Sequence, residues 1–163
     1  MPFEKPIGQF MHPLDRYGIL RPEETILSAL QQMRRAEENN HPPHLIVVSD
    51  APAGSETIQG FVTPEDMVFG ISAPFLKGVE RTGPIFFEGL LEAEYRQAGQ
   101  RAVAEIMSPV AGSIDESEML MEAVFLMNRH EVRVLPVTRS AEVTGIVHIE
   151  DIFKELLERT ARL

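Results

Sequence analysis

The sequence predicts a mixed fold of helices and strands, built from two copies of one β–α–β–β–α unit. Residues 19–30 and 113–124 read alike, because each combines a short apolar run, an acidic helix start and an amphipathic stretch. Each is followed by an apolar, β-branched run, at 44–48 and at 133–137, which is typical of a buried strand. A repeat of this kind indicates one architecture used twice in the chain.

The first helix of each copy is predicted from the spacing of its apolar residues and from its first turn. In the second copy, Asp115 with Glu118 three residues later resembles a capping box, which would start a helix there. In the first copy, apolar residues recur at spacings of three and four, as on one face of a helix. They are Ile26, Leu27, Leu30 and Met33.

The second half of each copy is predicted as a strand that begins at a glycine, followed by a helix that opens on acidic residues. Gly60 and Gly145 begin these strands and lie 85 positions apart, whereas Ala29 and Ala123 of the first helices lie 94 apart. The first copy therefore holds nine extra residues, which fall in its loops. The closing helix is expected over 151–162. Its apolar face comprises Ile152, Phe153, Leu156 and Leu157.

Three segments follow from this alignment. Residues 1–73 form the first repeat with an N-terminal lead-in, and residues 102–163 form the second repeat. Residues 74–101 form a linker rich in proline and glycine, with a short helix expected over 86–97.

Composition excludes several classes of function. The chain has no cysteine, which rules out disulfide frameworks, zinc ribbons and thiol catalysis. Its formal net charge of −10 opposes binding to nucleic acids and to anionic membranes. No secretory signal and no membrane-spanning run is present, so a cytoplasmic protein is expected. Neither a phosphate-binding Gly-Lys loop nor a nucleophile elbow occurs, so no catalytic residue and no enzyme activity is predicted.

Four segments together carry a resemblance to a known family. Residues 105–109, 133–137 and 145–151 in the second copy, and 60–66 in the first, resemble a tandem cystathionine-β-synthase-type (CBS) domain pair, also called a Bateman module. The resemblance implies an α+β fold in which the two repeats pack sheet to sheet about a pseudo-twofold axis, leaving two clefts. It also implies a regulatory homodimer that binds an adenosine-containing ligand, such as AMP, ADP, ATP or S-adenosylmethionine, and signals to an effector protein.

Thr63 and Asp66 are the candidate ligand residues of the first copy. A carboxylate at a strand-to-helix junction can accept two charge-assisted hydrogen bonds from the vicinal hydroxyls of a ribose. The Thr63 hydroxyl can hold a phosphate oxygen beside the amides of the helix start. The alternative is that Thr63 only caps the helix and Asp66 only complements the helix dipole.

The second copy departs from this pattern, since His148 stands where the family usually has Thr or Ser, while Asp151 is kept. His148 can replace the hydroxyl as a donor, more strongly at acidic pH, or the second cleft is degenerate. The resemblance also places Arg133, and its counterpart His44, against a phosphate. The alternative for both is a solvated surface charge.

Two further readings bear on function. His41 and His44 supply at most two metal ligands with no clear third partner, so no metal site is predicted. Met107, Met119, Met121 and Met127 fit either the core or a dimer contact between equivalent helices. The alternative function is therefore a structural dimerisation or interaction module with vestigial clefts.

Overall fold

A computed structural model describes residues 5–39, 46–49, 58–76 and 90–163 of the chain. It contains eight strands and five α-helices in these described ranges. In chain order they are β1 (His12–Pro13), β2 (Gly18–Leu20), α1 (Ile26–Glu38), β3 (Ile46–Ser49), β4 (Ile58–Val62), α2 (Pro64–Leu76), α3 (Leu90–Ala98), β5 (Ser108–Pro109), β6 (Ile114–Asp115), α4 (Leu120–His130), β7 (Val134–Arg139), β8 (Glu142–His148) and α5 (Ile149–Thr160).

The chain divides into two compact units that do not follow the predicted repeat boundaries. The central unit is Tyr17–Pro109, and the C-terminal unit joins Met1–Arg16 to Val110–Leu163. Residues 1–16 were assigned above to the first repeat and residues 102–109 to the second. Each lead-in therefore belongs to the compact unit of the other repeat.

Each unit contains a four-stranded sheet of the same design. In the central unit the strand order is β2-β3-β4-β5, and in the C-terminal unit it is β6-β7-β8-β1 when read in the same sense. The first two strands of each order run parallel, and the other pairs are antiparallel. The predicted repeat is confirmed in this topology, and each sheet ends on a short lead-in strand, β5 or β1.

The lead-in segments are fixed to their sheets by equivalent backbone contacts. In the C-terminal unit the Ile7 amide donates to the Glu118 carbonyl at 2.8 Å. In the central unit the Val103 amide donates to the Glu24 carbonyl, also at 2.8 Å. Ile7 and Val103 are both fully buried, each in the apolar core of its unit. Burial of these side chains is what anchors the two lead-ins.

The helices α1 and α4 are the first helices of the two repeats, and the predicted cap of α4 is wrong. The Thr25 side chain accepts a hydrogen bond from the Ser28 amide and so caps α1. Asp115 does not cap α4, which begins at Leu120. Its carboxylate instead accepts from the Ser117 hydroxyl and from the Ser117 amide, in a local turn that precedes the helix. These two hydrogen bonds, the one from the hydroxyl first, lower the pKa of Asp115.

The other predicted elements are confirmed with small shifts. The strands β4 and β8 begin before their glycines, at Ile58 and Glu142. The linker helix α3 spans Leu90–Ala98, and residues 86–89 of the predicted range lie outside the described residues. The closing helix α5 spans Ile149–Thr160, two residues earlier than expected.

Candidate functional site

Thr63 and Asp66 meet at the junction between β4 and α2, where they form a reciprocal cap. The Thr63 amide and hydroxyl donate to Asp66 Oδ2 at 2.9 and 3.0 Å. In return the Asp66 amide donates to Thr63 Oγ1 at 3.2 Å. Pro64 occupies the first helical position, where its missing N–H costs nothing. Thr63 and Asp66 therefore cap α2, and Oδ2 of Asp66 already accepts two hydrogen bonds.

Asp66 also receives a bond from a residue that the sequence reasoning did not include in the site. The Ser108 hydroxyl donates to Asp66 Oδ1 at 2.7 Å. Ser108 lies on the lead-in strand β5, opposite Phe61 of β4. The lead-in strand thus brings a side chain from 42 positions away to the start of α2.

The C-terminal unit repeats this arrangement with different side chains. The His148 amide donates to Asp151 Oδ2 at 3.0 Å, as the Thr63 amide does to Asp66. His12 Nε2 lies 2.9 Å from Asp151 Oδ1. His12 is on the lead-in strand β1, opposite Ile146 of β8. Because His12 takes the place of Ser108, it belongs to the second candidate site, although the sequence reasoning missed it.

His148 lies beneath this site and does not face solvent. His148 is only 3% exposed. Its ring packs edge-on against the ring of His12, with the two centroids 5.6 Å apart. Burial lowers the pKa of His148, the nearby His12 lowers it further, and the Asp151 carboxylate opposes both effects. These effects together lower the pKa of His148, so its imidazole is neutral at neutral pH.

This buried histidine predicts acid sensitivity of the fold. The unfolded chain takes up a proton on His148 near the ordinary pKa of 6.5, whereas the folded chain does so only at lower pH. The unfolded state then binds more protons, so the free energy of unfolding should fall as pH drops through 6.5 towards the lower folded pKa. Urea unfolding at several pH values checks this for the wild type and His148→Thr, which copies Thr63.

The exposed His130 supplies the control for that experiment. His130→Gln should retain the wild-type pH dependence, whereas His148→Thr should lose the part that comes from the buried imidazole. An identical pH dependence in the wild type and in His148→Thr would show that His148 does not carry the effect.

Of the two predicted phosphate contacts, the structure describes Arg133 but not His44. Arg133 is an exposed residue directly before β7. Its backbone carbonyl accepts a hydrogen bond from the Ile149 amide at 2.9 Å. Arg133, His148 and Asp151 are therefore brought to the same end of the C-terminal unit. His44 lies outside the described residues.

One sequence signal could have revealed both missing residues. Met11-His12-Pro13 and Met107-Ser108-Pro109 share the pattern Met-x-Pro and lie 96 positions apart. The same lead-in strand also explains Gly60, since a Cβ there would lie 2.6 Å from the Ser108 carbonyl oxygen. Glycine is required there because the lead-in strand passes so closely.

The described part of the chain shows neither a metal-binding cluster nor a membrane-spanning helix. In those ranges, no group of three or more His, Cys, Asp or Glu side chains is arranged to hold a metal ion. Of the described helices, none is both long enough and apolar enough to span a membrane.

Comparison with known proteins identifies the fold. The family model of the CBS domain matches residues 103–158. The crystal structure of the CBS-pair protein CBSX2 from Arabidopsis thaliana is 20% identical, covers 96% of both chains and has a TM-score of 0.63. CBSX2 solved in complex with AMP is 18% identical, covers 95% of this chain and 98% of that one, and has a TM-score of 0.60. A CBS-domain containing protein from Agrobacterium tumefaciens is 18% identical, covers 92% of both chains and has a TM-score of 0.61. No curated protein matches this sequence.

Proposed function

We propose that this chain, which contains a CBS domain and has the fold of CBS-pair proteins, is a regulatory module that binds an adenosyl ligand. The ligand would be AMP, ADP, ATP or S-adenosylmethionine. Its ribose would bind at Asp66, at Asp151 or at both, and a partner protein would respond to occupancy. The module has no catalytic role in this proposal, because the two carboxylates act as fixed acceptors of hydrogen bonds.

The observation that carries the proposal is the free capacity of Oδ1 on each aspartate. A carboxylate oxygen can accept two hydrogen bonds. Oδ2 of Asp66 already accepts two bonds from Thr63, while Oδ1 accepts one, from Ser108. Oδ1 therefore retains the capacity for one more donor, and a ribose hydroxyl is a donor of the right kind. Asp66 is half-buried, so its carboxylate is accessible while remaining fixed in direction.

Acidic residues at the starts of α2 and α5 make these positions unfavourable for a phosphate group. The first turn of α2 contains Glu65 and Asp66, and that of α5 contains Glu150 and Asp151. These carboxylates weaken the attraction of a helix N-terminus for an anion. A phosphate group therefore needs a cation, and Arg133 in the C-terminal unit is the candidate that the structure describes.

The comparison supports the ligand class. CBSX2, whose fold extends over 95% of this chain, was crystallised with AMP. We therefore take AMP as the first ligand to test, with ADP, ATP and S-adenosylmethionine beside it.

Isothermal titration calorimetry tests the proposal directly. At least one of the four ligands should bind saturably. A 2′-deoxyribose analogue of that ligand should bind roughly tenfold more weakly or worse, because one hydrogen bond to a charged acceptor is lost. Binding by none of the four, to protein that is folded by circular dichroism, would contradict the proposal.

A second function, dimerisation, is favoured by the outer faces of α4 and α5. Met121 and Phe125 on α4 are 60% and 53% exposed, and Phe153 and Leu156 on α5 are 58% and 54% exposed. The closing helix was expected to use Ile152, Phe153, Leu156 and Leu157 as one face. Of these only Ile152 is buried, and Glu155, which pairs with Lys5 and Arg159, is also buried on this helix.

We propose that a second copy of the chain covers this face. Together the two helices line a groove of about 790 Å³ with mostly apolar walls, and patches of that kind mark interaction sites. The equivalent helix of the central unit, α2, also exposes Val68 and Phe69, at 64% and 62%. A second copy offers the same apolar helices, as a symmetric interface requires.

Phe153→Glu is expected to convert the dimer into a monomer, because a charge would have to be buried in the apolar contact. Analytical ultracentrifugation or light scattering at micromolar concentration measures this. Lys154→Glu introduces the same residue one position away on the exposed side of α5 and should leave the dimer intact. If the wild type is a monomer, or if the Phe153→Glu variant is still a dimer, this face is not the dimer contact.

A further inference from the structure

The two candidate sites differ in the side chain that the lead-in strand presents to the aspartate. In the central unit, the Ser108 hydroxyl donates to Asp66 Oδ1 at 2.7 Å. In the C-terminal unit, His12 Nε2 lies 2.9 Å from Asp151 Oδ1. Backbone pairing holds both residues in place, since Ser108 is paired with β4 and His12 with β8. The backbones therefore match, and the aspartate is met by a hydroxyl in one unit and by an aromatic ring in the other.

The His12 ring is held against Asp151 from two directions. Its Nε2 atom makes the contact with Oδ1, and the side chains of His12 and Asp151 are only 19% and 12% exposed. The buried ring of His148 packs edge-on against the His12 ring, with 5.6 Å between the centroids. A ring with a polar contact on one side and a packed neighbour on the other has little freedom to move aside. The carboxylate of Asp151 is therefore covered at the oxygen that a ribose would use.

The central site carries no ring at either of these two positions. Ser108 is exposed, and Pro64 and Glu65 at the start of α2 are exposed as well. Thr63, which stands where the C-terminal unit has His148, is half-buried and directs its hydroxyl to Asp66 Oδ2. A hydroxyl group takes up far less space than an imidazole, so Ser108 leaves room at Oδ1 of Asp66.

Room at Oδ1, and not its hydrogen-bonding capacity, separates the two aspartates. Each Oδ1 accepts one bond from its lead-in residue and has the capacity for a second. A second donor must also be able to reach the oxygen, and at Asp151 the His12 ring stands in its way. Arg133 is exposed at the same end of the C-terminal unit, but a cation alone cannot accept the hydrogen bonds of ribose hydroxyls.

We infer that His12 closes the C-terminal site, so that the chain binds one adenosyl ligand, with its ribose at Asp66. The lead-in residue, Ser108 or His12, is then the specificity-determining residue that decides whether the aspartate of its unit can receive a ribose. Asp151 has a structural role instead, since it ties β1 to the start of α5. The ligand part of this inference rests on the proposed function, whereas the closure by His12 is a property of the free protein.

Labelling of the histidines with diethyl pyrocarbonate, located by mass spectrometry, tests the closure without any ligand. The reagent acylates a ring nitrogen that is accessible and unprotonated. At neutral pH the exposed His130 should be labelled several-fold faster than His12. Asp151→Ala removes the hydrogen-bond partner of His12 and should raise its labelling rate towards that of His130. If His12 of the wild type is labelled as fast as His130, the inference is overturned, whether or not a nucleotide binds.

Exchange of the two lead-in side chains tests the consequence for binding. In calorimetric titrations with AMP, ADP, ATP and S-adenosylmethionine, a ligand that binds should occupy one site per wild-type chain. His12→Ser copies the central unit and should add a second site. Ser108→His copies the C-terminal unit and should weaken binding at Asp66 several-fold. Circular dichroism checks that each variant is folded.

The outcomes separate this inference from the proposed function. Two sites in the wild type, a folded His12→Ser variant with a single site, or a Ser108→His variant that binds as the wild type does would each overturn the inference. If none of the four ligands binds, the proposed function fails. Slow labelling of His12 would then still support the closure, and fast labelling would still refute it.

Discussion

Replacing Gly145 with alanine is expected to destabilise the C-terminal unit by about 1–3 kcal/mol, the usual cost of overpacking a close-packed site. A Cβ at this position would lie 2.7 Å from the His12 carbonyl oxygen and 2.7 Å from Met11 Sδ. The Met11 side chain can turn away, but the carbonyl belongs to β1, which is paired with β8 through Pro13 and Gly145. Relief therefore requires β1 to shift.

Gly112→Ala is the matched control for this prediction. A Cβ on Gly112 would meet nothing closer than His130 Nε2 at 3.7 Å, an ordinary contact distance. Urea denaturation should show a near-neutral effect for Gly112→Ala and a clear loss for Gly145→Ala. Equal stabilities of the two variants would mean that β1 does not pass Gly145 as described.

Replacing Asp66 with alanine is expected to weaken adenosyl-ligand binding in the central unit about 10- to 100-fold. A hydrogen bond to a charged acceptor contributes about 1.5–3 kcal/mol, and the variant removes the acceptor itself. The same change also removes the reciprocal cap of α2, so some loss of stability accompanies it. Calorimetric affinity must therefore be read together with a measurement of stability.

Thr25→Ala separates those two effects. Thr25 caps α1 in the same unit through the Ser28 amide, far along the chain from Asp66. The variant should lose about 1 kcal/mol of stability and keep its affinity for the ligand. Asp151→Ala is the companion change in the C-terminal unit. Unchanged binding in both aspartate variants would show that the ribose is held elsewhere.

The repeated unit was predictable because its signals are local. Apolar spacing predicted α1, β-branched runs predicted β3 and β7, and acidic residues after the glycine strands predicted that α2 and α5 follow them. The prediction that Asp115 caps α4 failed for a local reason. An aspartate can accept a hydrogen bond in a turn or at a helix start, and which of the two forms depends on where the helix begins.

The exchange of lead-in strands was not predictable from local pattern. His12 pairs with Ile146 across more than a hundred residues, and two-residue strands carry almost no periodicity. The burial of Glu155, which pairs with Lys5 and Arg159, and the exposure of Phe153 on α5 were equally unpredictable from the spacing of apolar residues. Both features follow from tertiary contacts, and the first of them supplies Ser108 and His12 to the candidate sites.

The measurement that tests the central claim most directly is a crystal structure of the protein grown with AMP. The account predicts electron density for the nucleotide at the start of α2, with a ribose hydroxyl within hydrogen-bonding distance of Asp66 Oδ1, beside the Ser108 hydroxyl. Density for AMP away from both Asp66 and Asp151 would contradict it, and so would the absence of bound ligand in crystals grown with any of the four candidates at saturation.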